Sequence, residues 1–303
     1  MNGMDWLRGR GLSGNGIRVG IIDAASEHRE QVAALVRSSA PDCIITPDSA
    51  LGRRDTVAAL AGALDGMIEE GVQIISMPFG FPHAVSVLMP LLRVVRERGI
   101  VLFAAAGNEA HCPLPFPASS PDVFAVGMSE LPYRPAPDLR APGLRLPNPL
   151  DPASTLSGAS YSCALVTGLA ALLCEAFPCG FGDALIRSRD GLRVPDGRRA
   201  LELLAAGFVA PPLAAPPDET GPIIDPRFMD SLRYSSAQIE GIAVLRQPLP
   251  ASASVQILRL FPHLNACRME ADAAAWRELA DSCDAIGPVN LSGAQFMPLP
   301  CWP

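Results

Sequence analysis

The sequence has no run of basic side chains. Its 24 lysine and arginine residues are scattered among 31 aspartate and glutamate residues, and the formal net charge is −7. Proteins that bind nucleic acids or anionic membranes concentrate positive charge on one face or along one helix. The charge pattern therefore argues against a nucleic acid or a membrane as the partner.

Long apolar stretches are also lacking. No segment reaches, without interruption, the roughly 18 apolar residues that a membrane-spanning helix needs. The segment after Ser160 comes nearest, but its Ser, Cys, Thr and Gly residues are more typical of a buried core helix. Residues 1–8 contain no apolar region of the kind found in a secretory signal peptide. We therefore expect a cytoplasmic protein.

Cysteine is present, but it is not arranged in a C-x-x-C pair or in any His/Cys cluster with the spacing of metal ligands. We expect neither a zinc site nor a bound cofactor. We expect most of the thiols to be free and buried, as is usual for cysteines in a reducing compartment. The eight cysteines are Cys43, Cys112, Cys163, Cys174, Cys179, Cys267, Cys283 and Cys301.

Apolar residues are abundant. They make up 49% of the 303 residues, which is enough for one large α/β domain and an appendage. Apolar strands alternate with helical patterns, and this predicts a doubly wound parallel sheet. We assign residues 1–208 to this domain, the proline-rich residues 209–220 to a linker, and residues 221–303 to a smaller C-terminal α+β extension of unknown role.

Periodicity gives the approximate bounds of several elements. It predicts helices over Ser26–Arg37, Asp55–Glu70, Ala84–Arg98 and Asp272–Asp284, and C-terminal strands over Ala237–Leu245 and Ser252–Leu260.

Three segments combine short apolar runs with polar residues that could do chemistry. An S-G-A-S motif ends at Ser160 and leads into an apolar, Gly- and Ala-rich run, which predicts a buried helix with Ser160 at its N-terminal end. A hydroxyl there lies near free N–H groups and the positive end of the helix dipole, and Gly168 predicts close packing of this helix. Two apolar strands end at Asp23 and at Asn108. Taken singly, these residues could equally be a helix cap, a strand-end residue and a turn former.

Together the three segments resemble the subtilisin-like serine peptidases, or subtilases. In that family a G-x-G-x-x-V-x-V-x-D strand carries the catalytic Asp, an A-A-G-N segment carries the oxyanion Asn, and S-G-T-S before a buried helix carries the nucleophile. The resemblance runs from about Leu12 to Phe177 and implies the subtilisin-like α/β fold. It assigns the nucleophile to Ser160, the carboxylate to Asp23 and the oxyanion donor to Asn108. It implies a peptide or protein substrate.

The catalytic base of this family opens a helix of the form H-G-T-x-V-A. Here His28 is followed by Val-Ala at the matching positions, but Gly-Thr is missing, and His28 lies only five positions after Asp23, where the family has some tens. We predict that the intervening segment is deleted and that His28 is the base. The alternative is a solvated histidine in the first turn of a helix. Other candidate bases are His83 and His111, with His263 less favoured.

The resemblance also places the substrate. In subtilases an S-x-G segment pairs with the extended substrate backbone, and here Pro78, Phe79 and Gly80 occupy those positions. Pro78 has no N–H to donate, and Phe79 is bulky, so an altered pocket is expected. Ala105 and Gly107, at the end of the strand that leads to Asn108, complete the predicted substrate-binding set.

These residues would act as a serine peptidase acts. Ser160 attacks the peptide carbonyl, His28 takes the proton, Asp23 orients the imidazole, and Asn108 donates to the oxyanion. The first predicted function is a cytoplasmic endopeptidase with a dedicated peptide substrate, for example one that removes a leader from a genetically encoded peptide. The second is a subtilase scaffold that binds a peptide or a partner without cleaving it. The sequence gives no oligomeric state.

Overall fold

The computed structural model describes residues 3–213, 221–235, 237–249 and 255–289. Its centre is an entirely parallel sheet with the strand order β2-β1-β3-β4-β5-β6. The inner strands are apolar along their whole length because helices cover both faces of the sheet. The strands are β1 (Arg18–Ile22), β2 (Ile44–Asp48), β3 (Ile74–Met77), β4 (Val101–Ala105), β5 (Phe124–Met128) and β6 (Leu139–Ala141).

Helices pack on both faces of this sheet. One apolar cluster joins α2 and α5 to the sheet, and another joins α3 and α4 to its opposite face. The helices are α1 (Met4–Arg8), α2 (Glu27–Ser39), α3 (Thr56–Glu69), α4 (Leu88–Glu97), α5 (Ala159–Ala176), α6 (Phe181–Ser188) and α7 (Gly197–Ala205). A short antiparallel ribbon, β7 (Leu146–Pro147) and β8 (Thr155–Leu156), precedes α5. The predicted doubly wound α/β fold is confirmed.

Helix α5 is the central helix of the domain. Within the described part of the chain it is the one helix long and apolar enough to cross a membrane, and 83% of it is buried inside the fold. It packs closely against α2, since a Cβ added to Gly168 would lie 2.4 Å from the Cβ of Ser39. The close packing predicted at Gly168 is therefore confirmed. This contact lies at the C-terminal end of α2, and near the other end the Tyr161 hydroxyl of α5 donates to Gln31 of α2, so the first turns of the two helices also lie together.

The C-terminal residues form a second, mixed sheet with the order β11-β12-β10-β13-β9. Its strands are antiparallel except for β9 and β13, which are parallel. The elements are β9 (Ile223–Ile224), α8 (Pro226–Tyr234), β10 (Ile239–Leu245), β11 (Gln256–Phe261), a 3₁₀ turn (Pro262–Leu264), β12 (Ala266–Ala271), α9 (Ala273–Ala280) and β13 (Cys283–Pro288).

The second sheet is packed against the first domain. Helices α8 and α9 cover one of its faces around the buried Trp276. The other face shares an apolar cluster with α3 and α4, to which it contributes Ile242, Val244 and Phe261. Polar contacts add to this interface: Arg268 bonds to Asp55 at 2.6 Å. The C-terminal extension and the parallel sheet thus share one continuous core.

Some element bounds differ from the prediction. Helix α4 begins at Leu88 rather than Ala84, because the preceding segment docks on the C-terminal sheet, where Val87 packs on Gly287 and Ser86 N–H bonds to Asp225. Helix α9 ends at Ala280, and the residues from Cys283 form β13, which pairs with β10. Strand β11 begins at Gln256, and residues 250–254 and 290–303, with Cys301, lie outside the described residues.

Candidate active site

Asp23 and His28 are in direct contact. Asp23 directly follows β1, and His28 is the second residue of α2. The Nδ1 atom of His28 lies 2.6 Å from Oδ2 of Asp23, which is a short, charge-assisted hydrogen bond. The carboxylate is buried, and its Oδ1 accepts the N–H of Ala24 at 2.7 Å. A link of four residues is therefore long enough to bring this pair together.

This hydrogen bond fixes the tautomer of the imidazole. A carboxylate accepts hydrogen bonds, so Nδ1 of His28 carries the proton that it shares with Asp23. In the neutral ring Nε2 is then the acceptor. The His28 side chain is 31% exposed, so this second nitrogen belongs to a ring that solvent or a substrate reaches.

Ser160 is the second residue of α5 and is buried. Its hydroxyl donates to the main-chain carbonyl of Pro78 at 2.8 Å. Among the hydrogen bonds of the described residues, none joins Ser160 to His28 directly. The ring of the next residue, Tyr161, lies between the two helices, with its centroid 5.5 Å from that of the His28 ring. The predicted nucleophile and base thus share one neighbour.

Asn108 lies beside the start of α5. Its Oδ1 accepts the N–H of Ala159 at 2.8 Å, so its Nδ2 amide is the side-chain donor that faces this region. The adjacent Gly158 has φ 149° and ψ 156°, a conformation that is essentially restricted to glycine. A Cβ at this position would lie 3.6 Å from the Asn108 amide. That distance is an ordinary van der Waals contact, so the glycine of the S-G-A-S motif is needed for its backbone conformation and not to avoid a clash.

Tyr133 supports the loop that carries Asn108. Its hydroxyl donates to the carbonyl of Gly107 at 2.7 Å and accepts the N–H of Met128 at 3.1 Å. Burial raises the pKa of this phenol, which keeps it protonated and able to donate. Gly107 has a φ of 88°, in the left-handed region that favours glycine. The phenol thus ties the loop after β4 to the end of β5.

The Pro78-Phe79-Gly80 segment is enclosed. Phe79 is buried and packs against Phe81, with ring centroids 5.4 Å apart. Both rings line a cavity of about 10 Å³ under the sheet, enough space for roughly one water molecule. A Cβ at Gly80 would lie 2.6 Å from Pro115. The Phe79 side chain is therefore part of the core.

The structure brings most of the predicted residues to the C-terminal edge of the parallel sheet. This is the edge at which α/β proteins place their sites. The residues that follow or end a strand there are Asp23, Pro78, Phe79, Gly80, Ala105, Gly107 and Asn108. His83 and His111 lie in exposed loops, and His263 lies in the 3₁₀ turn of the C-terminal extension.

Three residues around the site were not predicted from the sequence. They are Tyr133, Tyr161 and Gln31, whose side chain accepts the Tyr161 hydroxyl at 2.7 Å. Each of them makes a hydrogen bond to a residue that is distant in sequence. One signal was available, since Tyr161 directly follows the predicted nucleophile.

Cysteines and possible metal ligands are the other reactive side chains of the described residues. Within the described ranges, no group of three or more His, Cys, Asp or Glu side chains could hold a metal ion. Cys163, on the same helix as Ser160, is buried, and burial raises the pKa of its thiol to about 12. The seven described cysteines are free thiols, and Cys112 and Cys179 are the exposed ones among them.

Solved structures with a similar fold are peptidases and related enzymes. The maturation protease PagA of prenylagaramide is 22% identical with a TM-score of 0.56, over 69% of this chain and all of that one. The PatG macrocyclase, solved in complex with peptide, is 16% identical with a TM-score of 0.53, over 66% of this chain and 95% of that one. MycP1 without its N-terminal propeptide is 19% identical with a TM-score of 0.53, over 71% and 98%.

Sequence comparison gives the same family. Subtilisin BL of Lederbergia lenta is 23% identical over 215 residues, which are 56% of this chain and 80% of that protein. The family model described as "Subtilase family" matches residues 16–188, which hold Asp23, His28, Asn108 and Ser160. The chain belongs to the subtilase family of serine proteases.

Proposed function

We propose that this subtilase is an endopeptidase that cleaves its substrate through Asp23, His28 and Ser160. The observation that carries the proposal is the 2.6 Å bond between Nδ1 of His28 and the buried Asp23. It gives the imidazole the tautomer of a general base, with a buried carboxylate to stabilise the imidazolium. The position of Ser160 in the first turn of α5 supports its role as nucleophile.

The proposed reaction begins with rotation of the Ser160 hydroxyl away from Pro78 and towards Nε2 of His28. The oxygen attacks the substrate carbonyl carbon while its proton passes to the imidazole. The oxyanion receives hydrogen bonds from Nδ2 of Asn108 and from the N–H of Ser160. His28 then returns the proton to the leaving amine, and water hydrolyses the acyl-enzyme by the same steps.

We propose that the substrate is one dedicated cytoplasmic peptide and that the enzyme does not digest proteins in general. The altered segment at Pro78 supports this, because proline offers a bound strand a carbonyl but no N–H. The similarity to a prenylagaramide maturation protease and to a macrocyclase solved with peptide supports it further. Removal of a leader from a genetically encoded peptide is the form of this reaction that we favour.

Peptide binding without cleavage is the second candidate. The observation that favours it is the hydrogen bond of Ser160 to Pro78 in place of one to His28. In that case the site would hold an extended peptide, and the serine would stay bonded to the main chain.

A cleavage assay separates the two candidates. The purified protein and its Ser160→Ala variant are incubated with a peptide library digested from a proteome, and new termini are identified by mass spectrometry. We expect cleavage at a narrow set of sequences by the native protein alone. Cleavage at many unrelated sites would contradict the dedicated substrate. Retention of intact peptides by both proteins, without new termini, would favour the binding function.

A further inference from the structure

A chain of side chains connects the residues next to the proposed nucleophile and base. Tyr161 directly follows Ser160, and its hydroxyl donates to Oε1 of Gln31 at 2.7 Å. Gln31 lies in α2, and its Nε2 donates to Oε1 of Glu27 at 2.9 Å. Glu27 directly precedes His28. Three side chains therefore link the first turn of α5 to the first turn of α2.

The same tyrosine is in contact with the imidazole. The rings of Tyr161 and His28 are inclined at 55°, with centroids 5.5 Å apart. Tyr161 is buried, so its ring is a fixed surface beside the partly exposed His28. A cation within about 6 Å of an aromatic ring is attracted to the face of that ring. The 5.5 Å separation falls within this range, so the Tyr161 ring is close enough to interact with the positive charge that the imidazole gains during proton transfer.

We propose that Tyr161, Gln31 and Glu27 form a brace that positions the imidazole of His28 for proton transfer with Ser160. The inference rests on the proposed peptidase function. The ring of His28 is held by its bond to Cβ and by the hydrogen bond from Nδ1 to Asp23, and small changes of its two side-chain torsions still move Nε2. Contact with the Tyr161 ring removes that freedom, and the bond to Gln31 holds the tyrosine in place. These three are positioning residues.

The first test removes one part of the brace at a time. Tyr161→Phe keeps the ring and loses the hydroxyl, and Gln31→Leu keeps the volume and loses both hydrogen bonds. Thr167→Val is the matched control, because this hydroxyl is also buried on α5 and bonds to the main chain at Cys163. We expect the rate of Ser160 labelling by a fluorophosphonate to fall about tenfold in both brace variants, equal to roughly 1.4 kcal/mol. The control should label at the native rate.

A structural role alone would not change the second readout, which is the NMR signal of the His28 Nδ1 proton shared with Asp23. We expect this downfield resonance to broaden or disappear in Tyr161→Phe at a temperature where the fold is intact. The resonance is also measured in a Ser160→Ala background. Because this measurement does not depend on labelling, it tests the brace even if the native protein is not labelled. Absence of labelling would contradict only the proposed peptidase function.

The third test exchanges the carboxylate and the amide between residues 27 and 31. Gln31→Glu places two carboxylates side by side and should lower the labelling rate. Adding Glu27→Gln restores a donor beside an acceptor, with the native net charge, and should recover most of that loss. A double variant as slow as Gln31→Glu alone, or brace variants with native labelling and a native His28 resonance, would overturn the proposal.

Discussion

The hydroxyl of Ser160 and the carbonyl oxygen of Pro78 are joined by a hydrogen bond of 2.8 Å. The carbonyl belongs to the segment that, by resemblance to subtilases, pairs with the substrate backbone. An N–H of a bound peptide that donates to this oxygen would compete with the serine hydroxyl. Substrate binding would then favour rotation of the hydroxyl towards His28, which is consistent with the looser geometry of catalytic groups in free enzymes.

Asn108 provides the first prediction. Asn108→Asp keeps an acceptor for the Ala159 N–H but loses the amide donor, whereas Asn108→Ala loses both. We expect both variants to lose about 10²–10³ of the turnover, as for other oxyanion donors. The aspartate variant should retain more of the native melting temperature.

The control is Asn148→Asp, at another buried asparagine whose Oδ1 accepts a main-chain N–H, here that of Leu150. It should leave turnover unchanged. Native turnover in Asn108→Asp would show that this side chain does not stabilise the oxyanion.

Tyr133 provides a second prediction. Tyr133→Phe leaves the carbonyl of Gly107 and the N–H of Met128 without their buried partner. We expect a loss of about 1–3 kcal/mol in the free energy of unfolding and slower labelling of Ser160, because the Asn108 loop is less firmly held. Urea unfolding and labelling kinetics measure the two effects. Tyr234→Phe, at an exposed tyrosine, should change neither quantity, and a native result for Tyr133→Phe would contradict the support assigned to the phenol.

The contact between α2 and α5 is tested with two helix glycines. Gly168→Ala places a Cβ 2.4 Å from Ser39 Cβ, whereas a Cβ at Gly66 of α3 has nothing within 4 Å. We expect Gly168→Ala to cost roughly 1–3 kcal/mol of unfolding free energy through overpacking. Gly66→Ala should gain about 0.5–1 kcal/mol through helix propensity. A stabilised Gly168→Ala variant would mean that the two helices are not closely packed at this point.

We predict that Asp225, at the junction of the two sheets, makes the stability of the fold depend on pH. Its carboxylate is buried, which by itself would raise the pKa, but hydrogen bonds and the charge of Arg227 hold the pKa below its ordinary value. A lowered pKa in the folded state stabilises the fold above the ordinary value of about 3.9, and this stability is lost as the pH falls through the lowered value.

Asp225→Asn keeps a residue that caps α8 well and removes the charge. We expect it to be less stable than the native protein at pH 7, with a difference that shrinks as the pH falls below about 4. Urea unfolding across this range measures the difference. Asp230→Asn, at an exposed position of the same helix, should show little effect. A deficit that stays constant as the protein is acidified until it unfolds would show that the charge of Asp225 does not stabilise the junction.

The sequence was sufficient to predict the parallel sheet, because each strand is a short apolar run closed by a turn or a helix start. It also placed Asp23 and Asn108 after strands and Ser160 at the start of a helix, since these are local features, whereas their roles in the site rest on the resemblance to subtilases. The extent of α4 and α9 was not predictable in this way. The start of α4 depends on docking against Gly287, and β13 follows α9 because Cys283 pairs with β10. Both are effects of tertiary contact on local propensity.

The surroundings of the site were less accessible to sequence analysis. The bonds from Tyr133 to Gly107 and from Tyr161 to Gln31 join residues 26 and 130 positions apart, and no local pattern predicts such pairs. The burial of Phe79 is another example, because its environment includes Leu88 of α4 and Phe116 of a distant loop. Its bulk indicated an altered pocket, whereas its direction into the core depended on the folded chain.

The most direct test of the central claim is covalent labelling of Ser160 by a fluorophosphonate, read by intact mass and peptide mapping. The account predicts one modification on Ser160 in the native protein. It also predicts a rate at least about 10³-fold lower in folded His28→Ala and a native rate in His263→Ala. Labelling of Ser160 that is unchanged in His28→Ala, or no labelling of the folded native protein, would contradict the convergence of Asp23, His28 and Ser160 into one catalytic unit.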